Sequence, residues 1–361
     1  MFGSHLSIAG GMHLALEQAA SLGLDCVQVF TKNQQQWSAP PLDAEAVRRW
    51  KDAMSRMGWT DSGRAVSHAS YLANMASAEP ALRAKSIDLM RQEIDRCETL
   101  GIGLLVFHPG AHTTAPRADG VARIIDACAE LIRATEGYRT VLCLENVAGQ
   151  GSTIGREFEE LAALRAGIVD ASGRPDRVGF CIDSCHAHAA GYDLSTRQGA
   201  ASMLDALDRA CGLASVRVLH LNDSKAPAGS RVDRHEHIGR GTIGLEGFEV
   251  LVRHPALRSL PKIMETPKGS GPDGRDHDAV NVAALRALAA GAATVPGLVQ
   301  VDPAKPPAPA RPSRARAASK RPVAARKKPR AKGTGMQRTG TPQRGTIRRR
   351  PRARGARPRK R

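Results

Sequence analysis

The sequence predicts an α/β fold, a (β/α)8 TIM barrel followed by a disordered basic tail. Three observations support it: eight short apolar runs alternate with segments of helical periodicity, six of these runs end on a side chain that can bind a metal, and the basic residues concentrate near the C-terminus. Near-continuous apolar strands that alternate with helices are typical of a parallel sheet covered on both faces. Eight such units favour a closed barrel.

The elements of the barrel can be predicted in chain order. The eight strands are expected at FGSHLSI, CVQVFTK, AVSHAS, LLVFHPG, VLCLENV, VGFCIDS, VRVLHLND and PKIMETP. The segments between them carry apolar residues at three-to-four spacing, and several end at a glycine, as helix C-termini often do. Helices are predicted in this way at 14–23, 43–58, 81–101, 118–136 and 157–167.

The end of the chain differs in composition from the rest. Residues 301–361 contain 22 of the 53 Lys and Arg residues but one of the 35 acidic residues, whereas residues 1–300 hold 31 bases and 34 acids. The formal charge of +18 therefore comes from the C-terminal segment. This segment is built from Arg, Lys, Pro, Ala and Gly, which cannot form a core. We predict a barrel domain at 1–293 and a disordered tail, called the basic tail, at 294–361.

The cysteines and the apolar runs indicate the cellular compartment. The seven cysteines form no CxxC pair and most lie in apolar runs, which favours a reducing environment. The N-terminus has no basic leader followed by a long apolar run, and no stretch reaches about 18 apolar residues. We therefore expect a cytoplasmic protein without a membrane span.

Side chains that can bind a metal lie where the predicted strands stop. Strands three to eight end at His68, His108, Glu145, Asp183, His220 and Glu265. In a (β/α)8 barrel these positions converge on the rim that holds active sites. Because buried acids and imidazoles are costly unless they are paired or bound to a metal, packing alone does not explain this pattern.

Three further residues extend this set of ligands. His186 follows strand six, and Asp233 and His235 would point the same way in an extended loop. Five imidazoles and four carboxylates suit zinc or manganese better than calcium, and nine ligands imply two or three ions. His5 fits either a supporting role or simple packing, and His237 is interpreted as a neighbour of the loop ligands.

Three motifs carry a resemblance to a known family: HASYLANMA, GFCIDSCH and LHLNDSKAPAGSRVDRH. With them go the segments FTKNQQQW, FHPGAH and LENVAGQGSTIG. Together they resemble the endonuclease IV family of apurinic/apyrimidinic (AP) endonucleases. The resemblance covers residues 1 to about 290. It implies a DNA-repair phosphodiesterase of the deoxyribonuclease IV type, and we expect it to act as a monomer on double-stranded DNA with abasic sites.

The resemblance also implies three zinc ions per chain, with manganese as a substitute. The first ion would be held by His68, His108 and Glu145. The second would be held by Glu145, as a bridge, with Asp183, His220 and Glu265. The third would be held by His186, Asp233 and His235.

The implied chemistry needs no side-chain nucleophile. A water shared by two zinc ions becomes a hydroxide that attacks the phosphodiester, so Glu145 is the catalytic bridging ligand. The cut would lie 5′ to the abasic sugar and leave 3′-hydroxyl and 5′-deoxyribose phosphate ends. The same site would remove 3′-blocking groups.

The resemblance places Tyr71 and Leu72 in a loop that enters the duplex, where an apolar wedge would unstack a base step and the abasic nucleotide would turn out. Packing of both residues on the barrel is the alternative. Phosphate contacts are expected from Asn33, Lys32, Lys225 and Arg231. Gln35 stands where the best-known relatives have an Arg that inserts into DNA, which predicts a weaker grip by the barrel.

The basic tail could compensate for this weaker grip. A flexible polycation binds a nucleic-acid backbone through counterion release, without sequence preference and with steep salt dependence. RNA or ribosome association and a role in solubility alone are the alternatives. The Ala, Arg and Gly richness is typical of a GC-rich bacterium, so we expect a nucleoid-associated bacterial protein.

Two rival functions remain at this point. A sugar isomerase or epimerase on the same barrel also places Glu, Asp and His at strand ends, but it usually needs fewer histidines and one or two ions. A DNA-compacting protein would use the tail and not need an intact ligand set. The DRH motif, together with His68 and His108, favours the nuclease.

Overall fold

Eight parallel strands close into a barrel in the computed structural model, which describes residues 1–292 and Val295. The barrel strands are β1 (Phe2–His5), β2 (Cys26–Val29), β3 (Ala65–His68), β4 (Leu104–Phe107), β5 (Val141–Glu145), β6 (Val178–Asp183), β7 (Val216–His220) and β10 (Lys262–Met264). Two short strands between β7 and β10 form a separate antiparallel pair, β8 (Asp223–Ser224) and β9 (His235–Glu236). Neighbouring barrel strands pair in chain order, and β10 closes the barrel against β1. The predicted (β/α)8 barrel is confirmed.

The interior of the barrel is filled by one buried apolar side chain from each of seven strands. These buried residues form a cluster of their own, Cys26, Val66, Val106, Cys143, Cys181, Val218 and Ile263. Strand β1 contributes Gly3 instead, because a Cβ at this position would lie 2.0 Å from the carbonyl oxygen of Cys26. The side chains that matter for the site therefore lie above this layer, at the strand ends.

The outer layer consists of helices that follow the barrel strands. In the described part of the chain they are α1 (Met12–Ser21), α2 (Ala44–Arg56), α3 (Pro80–Leu100), α4 (Arg117–Ala134), α5 (Phe158–Ser172), α6 (Ser184–Ala190), α7 (Arg197–Cys211), α8 (Gly244–Arg253) and α9 (His277–Ala289). Their apolar faces pack on the outside of the barrel in the main hydrophobic core.

One predicted helix end is wrong. The sequence predicts that the fifth helix stops at Gly167, but α5 continues to Ser172, and Gly173 ends it in a left-handed conformation with φ of 69°. Gly167 serves close packing instead, since a Cβ there would lie 2.5 Å from the Cδ1 atom of Ile125 in α4. Glycine thus marks a helix–helix contact as well as a helix end.

The predicted boundary at residue 293 and the basic tail lie outside the described residues, apart from Val295, which packs against the core. Within residues 1–292, none of the helices combines the length and the apolar character that a membrane crossing requires.

Candidate metal centre

The nine predicted ligands are all brought to the C-terminal rim of the barrel. Four of them are the last residue of a strand: His68, Glu145, Asp183 and His220. Two directly follow a strand: His108 and Glu265. The others come from the first turn of α6, from the loop before β9 and from the first residue of β9: His186, Asp233 and His235.

Glu145 lies at the centre of this cluster and is fully buried. Its Oε2 atom is 3.1 Å from Nε2 of His68 and 3.2 Å from Nε2 of His108. Its Oε1 atom is 2.9 Å from Nδ1 of His220 and 3.4 Å from Nδ1 of His186. Burial alone would raise the pKa of Glu145, but the surrounding imidazoles, His220 foremost, hold that pKa well below its usual value.

A second group shares Glu145 and adds two carboxylates. Ligand atoms of Glu145, Asp183, His220 and Glu265 all lie within 4.8 Å of one another. Nδ1 of His220 is 3.4 Å from Oε2 of Glu265 and 3.9 Å from Oδ2 of Asp183. Burial would lower the pKa of His220, yet the charges of Glu265 and Glu145 raise it to about 9.

The third group lies nearer the solvent. Nε2 of His186 is 3.2 Å from Oδ2 of Asp233, and Nε2 of His235 is 3.3 Å from Oδ1 of Asp233. Asp183 also reaches this group, with its Oδ2 atom 3.7 Å from Nε2 of His235. The resemblance implies Asp183 for the second ion alone, so the structure adds a carboxylate that lies between two groups.

The donor set fits divalent cations that accept both nitrogen and oxygen ligands. Nε2 of His235 is buried without a hydrogen-bond partner among the described residues, although it points at two carboxylates. Two thiols, Cys181 and Cys185, also lie within reach of ligand atoms. Burial raises the pKa of Cys185 to about 12 and that of Cys181 well above its usual value, which disfavours the thiolate that a metal requires.

Known proteins are similar to this chain in sequence and in fold. The family model for AP endonucleases of family 2, described as a xylose isomerase-like TIM barrel, matches residues 16–289. A protein named probable endonuclease 4 from Chloroflexus aurantiacus is 43% identical over 291 residues, which cover 81% of this chain and 99% of that protein. This chain belongs to the endonuclease IV family.

Solved structures agree with this assignment. Endonuclease IV from Thermus thermophilus matches with a TM-score of 0.69 and 37% identity, over 81% of this chain and 99% of that chain. A D-tagatose 3-epimerase-like protein has a TM-score of 0.58 at 20% identity, over 80% and 96% of the two chains, and this likeness concerns the fold alone. The expected enzyme class, a hydrolytic AP endonuclease of DNA repair, is confirmed by the family membership.

Gln28 is a residue of this family member's site that the sequence reasoning missed. It is buried inside β2, where its Oε1 atom lies 2.9 Å from Nε2 of His220 and its Nε2 atom donates to Oε1 of Glu265 at 2.7 Å. His5, which fits two roles by sequence, lies with its Nδ1 atom 3.0 Å from the same Glu265 oxygen. The available signal was a polar residue that interrupts the apolar run CVQVF.

Two asparagines, also missed, orient Asp183. Nδ2 of Asn222 donates to Oδ2 of Asp183 at 2.6 Å, while the backbone N–H of Glu265 donates to Oδ1 of Asn222 at 2.6 Å. Oδ1 of Asn146 accepts from the backbone N–H of Asp183 at 2.7 Å. Because Asn146 directly follows Glu145 and Asn222 lies two residues after His220, their positions beside ligands in the sequence were the only hint.

Tyr71 stands on the rim next to the ligands. It is 55% exposed, more than any other large apolar or aromatic side chain in the described part of the chain. Its ring centre lies 5.0 Å from that of His68 and 5.3 Å from that of His108. Leu72 beside it is half-buried. Tyr71 therefore packs on two ligand imidazoles and still presents a face to solvent.

The predicted phosphate contacts divide into exposed and buried residues. Three of them are exposed: Asn33, Lys225 and Arg231. Gln35 is exposed as well. Lys32 is an exception, because it is 4% exposed and its Nζ atom donates to the carbonyl oxygen of Gln36 at 2.7 Å and lies 3.5 Å from Oε1 of Glu93. The predicted phosphate contact at Lys32 is wrong, since a buried ammonium needs its carboxylate partner.

His237 lies apart from the three ligand groups. Its Nδ1 atom is 3.1 Å from Nδ2 of Asn281, and its ring centre is 4.3 Å from that of His277. The structure thus places His237 beside α9, next to residues that do not belong to the three ligand groups.

Proposed function

We propose that the protein cleaves double-stranded DNA at abasic sites, at the phosphodiester 5′ to the abasic sugar, and leaves a 3′-hydroxyl and a 5′-deoxyribose phosphate. The observation that carries the proposal is the convergence of five imidazoles and four carboxylates on one rim, beside an exposed tyrosine. The same site would remove 3′-blocking groups, because this reaction is also the hydrolysis of a phosphoester at a 3′ end.

Three zinc ions, with manganese as a substitute, would be held by the three groups of ligands. When bound, such ions activate water for attack on a phosphodiester and neutralise charge on the departing oxygen. Glu145 belongs to the first and second groups and Asp183 to the second and third, so two carboxylates would keep neighbouring ions close.

The ligand histidines are held with one ring nitrogen free to face the cluster. In four of them the other nitrogen lies within hydrogen-bond distance of an oxygen that can only accept, so this nitrogen carries the proton. The four pairs are His68 with the Ala69 carbonyl at 2.7 Å, His186 with the Asn146 carbonyl at 2.9 Å, His235 with the Glu265 carbonyl at 3.1 Å, and His220 with Oε1 of Gln28 at 2.9 Å. The barrel thus presets the tautomers that a metal requires.

The damaged duplex would lie across the rim. Tyr71 and Leu72 would fill the gap left by the missing base, because an apolar or aromatic wedge stabilises an unstacked step. The exposed side chains of Asn33, Lys225 and Arg231 would contact phosphates. Gln35 would contribute less than an arginine, since it brings no charge.

The basic tail would add affinity without sequence preference. Its 22 cationic residues within 301–361 favour binding to a nucleic-acid backbone. We propose that the protein acts as a monomer in the cytoplasm, associated with the nucleoid.

The test is cleavage of a labelled duplex that carries one tetrahydrofuran abasic analogue, by zinc-loaded full-length protein. We expect a single cut on the 5′ side of the analogue. The variant His68→Ala should lose it, whereas His254→Ala, at the end of α8, should keep it. Absence of a cut by the metal-loaded protein, or a cut that survives His68→Ala, would contradict the proposal.

A shortened protein that ends at Gly291 tests the role of the tail in the same assay. We expect the cut to persist, because all nine ligands lie before this point, while its rate should depend less steeply on salt concentration. An unchanged salt dependence would remove the tail from the proposal.

A further inference from the structure

Glu93 is a buried carboxylate that lies outside the metal centre and holds two rim loops. It belongs to α3 and is 1% exposed. Its Oε2 atom accepts a hydrogen bond from the hydroxyl of Thr31 at 2.7 Å, and its Oε1 atom accepts from the backbone N–H of Ser70 at 3.4 Å and lies 3.5 Å from Nζ of Lys32. One side chain therefore contacts the β2 loop, residues 30–43, and the β3 loop, residues 69–79.

Further hydrogen bonds join the two loops to each other and to the same helix. The hydroxyl of Ser70 donates to the carbonyl oxygen of Gln34 at 2.5 Å. Arg96, one turn after Glu93, donates to the carbonyl oxygen of Thr31 at 2.5 Å and to that of Pro40 at 3.1 Å. The β2 loop is thus fixed to α3 at two places and to the β3 loop at a third.

The burial of Glu93 indicates that these contacts are its role. Its neighbours on the inner face of α3 are apolar, among them Met90, Ile94 and Cys97. An unpaired carboxylate in such a place would be strongly unfavourable, and a carboxylate opposite a buried ammonium is tolerated when hydrogen bonds satisfy its remaining lone pairs. Those bonds go to the two loops.

We infer that Glu93 is a positioning residue that couples the β2 and β3 loops into one preordered surface for the damaged duplex. This inference rests on the proposed function, because the loops carry the proposed DNA contacts Asn33, Gln35, Tyr71 and Leu72. Loops that are ordered before binding lose less conformational entropy when DNA binds. Such binding energy is common to substrate and transition state, so its loss raises KM and leaves kcat nearly unchanged.

Two variants test the coupling against one matched control. Glu93→Gln keeps the size of the side chain but removes the charge opposite Lys32, and Ser70→Ala removes the loop-to-loop hydroxyl without leaving a charge unpaired. Asp88→Asn, on the exposed face of the same helix, is the control. Each zinc-loaded full-length protein is assayed for kcat, KM, zinc content and hydrogen exchange of backbone amides.

We expect both variants to raise KM for the abasic duplex by roughly tenfold and to change kcat by less than about twofold. Zinc content should match that of the unaltered protein, because no ligand is touched. Amides of residues 31–37 and 69–74 should exchange faster together, while those of β6 should not change. The control should match the unaltered protein in every measurement.

Faster exchange in one loop alone would overturn the coupling. An unchanged KM with both loops loosened would overturn the role of the coupled loops as a surface for the damaged duplex. If Glu93→Gln does not fold because it leaves the ammonium of Lys32 unpaired, Ser70→Ala decides the matter by itself. Failure of the unaltered protein to cut the abasic duplex would contradict the proposed function instead, and the exchange data would still show whether the loops are coupled.

Discussion

Six of the nine ligands at the rim fall into two regions that the protein holds in different ways. The inner ligands are the last residues of three neighbouring strands and are fully buried: Glu145, Asp183 and His220. The outer ligands follow a strand or lie in the β8–β9 segment, with side chains that are 32%, 36% and 17% exposed: His108, Asp233 and His235. The register of the barrel strands therefore fixes the positions of the inner ligands, which we call the inner region. Loop structure largely fixes the positions of the outer ligands, which we call the outer region.

The outer region depends on a residue that is not itself a ligand. Asp223 in β8 accepts hydrogen bonds from the backbone N–H groups of Ser224, Gly241 and Ile243 at 2.7, 3.0 and 2.9 Å. Ser224 in turn pairs with His235 across the β8–β9 ladder. Two of the outer ligands, Asp233 and His235, are thus positioned by a segment that a buried anchor holds, and we expect the inner region to bind metal more tightly.

The largest effect is expected from Glu145→Gln in the inner region. An amide offers one weak oxygen in place of a carboxylate that serves two ligand groups, so both groups should lose their ions. The cleavage rate should fall by more than the roughly 100-fold that loss of a supporting residue costs. Metal analysis and the abasic-duplex assay measure this, with exposed Glu157→Gln as the control. A variant that keeps both its metal and its rate would mean that Glu145 is not a ligand.

Gln28→Leu should weaken the inner region by a smaller amount. The change removes the acceptor that fixes the tautomer of His220 and the donor that orients Glu265, and loss of such partners lowers metal affinity by about 10–100-fold. A titration of zinc against a competing chelator measures the affinity. Gln18→Leu, on the exposed side of α1, should leave it unaltered. Equal affinities in both variants would show that the tautomer is fixed without Gln28.

Asp223→Asn should affect the outer region and spare the inner one. An asparagine has a single acceptor oxygen for several backbone N–H groups, so the β8–β9 segment should loosen. We expect the number of bound ions to fall by about one and the cleavage rate to fall by roughly tenfold. The number of metal ions bound per protein tests this prediction, and Asp205→Asn at an exposed position is the control. Loss of all ions would remove the distinction between the two regions.

The sequence predicts the ligands better than the residues that support them, for a physical reason. An apolar run that ends on Glu145 or Asp183 is a local signal, and strand geometry then brings the ends together. Gln28 gives no comparable signal, since its partner His220 is 192 positions away. Lys32 misleads for the same reason: it looks like a surface cation until Glu93 is placed opposite it. Local pattern predicts which strand ends meet, whereas the supporting bonds depend on contacts between distant elements.

The smallest effect concerns the stability of the metal-free protein. In the inner region of this form, a proton on His220 takes the place of the metal ions. Burial lowers the pKa of His220, but Glu265 and Glu145 raise it from 6.5 to about 9 in the folded state. The protonated form therefore stabilises the fold fully below pH 6.5, and this contribution is lost as the pH rises through 9. Urea unfolding of chelated protein should show the free energy of unfolding falling across this window, and His220→Asn should flatten the fall. Zinc affinity should rise over the same range, because the ion competes with that proton. If the free energy of unfolding of the metal-free protein stays constant from pH 6.5 to 9, a group other than His220 neutralises the inner carboxylates. The inner region would then depend less on a bound cation than the burial of its ligands indicates.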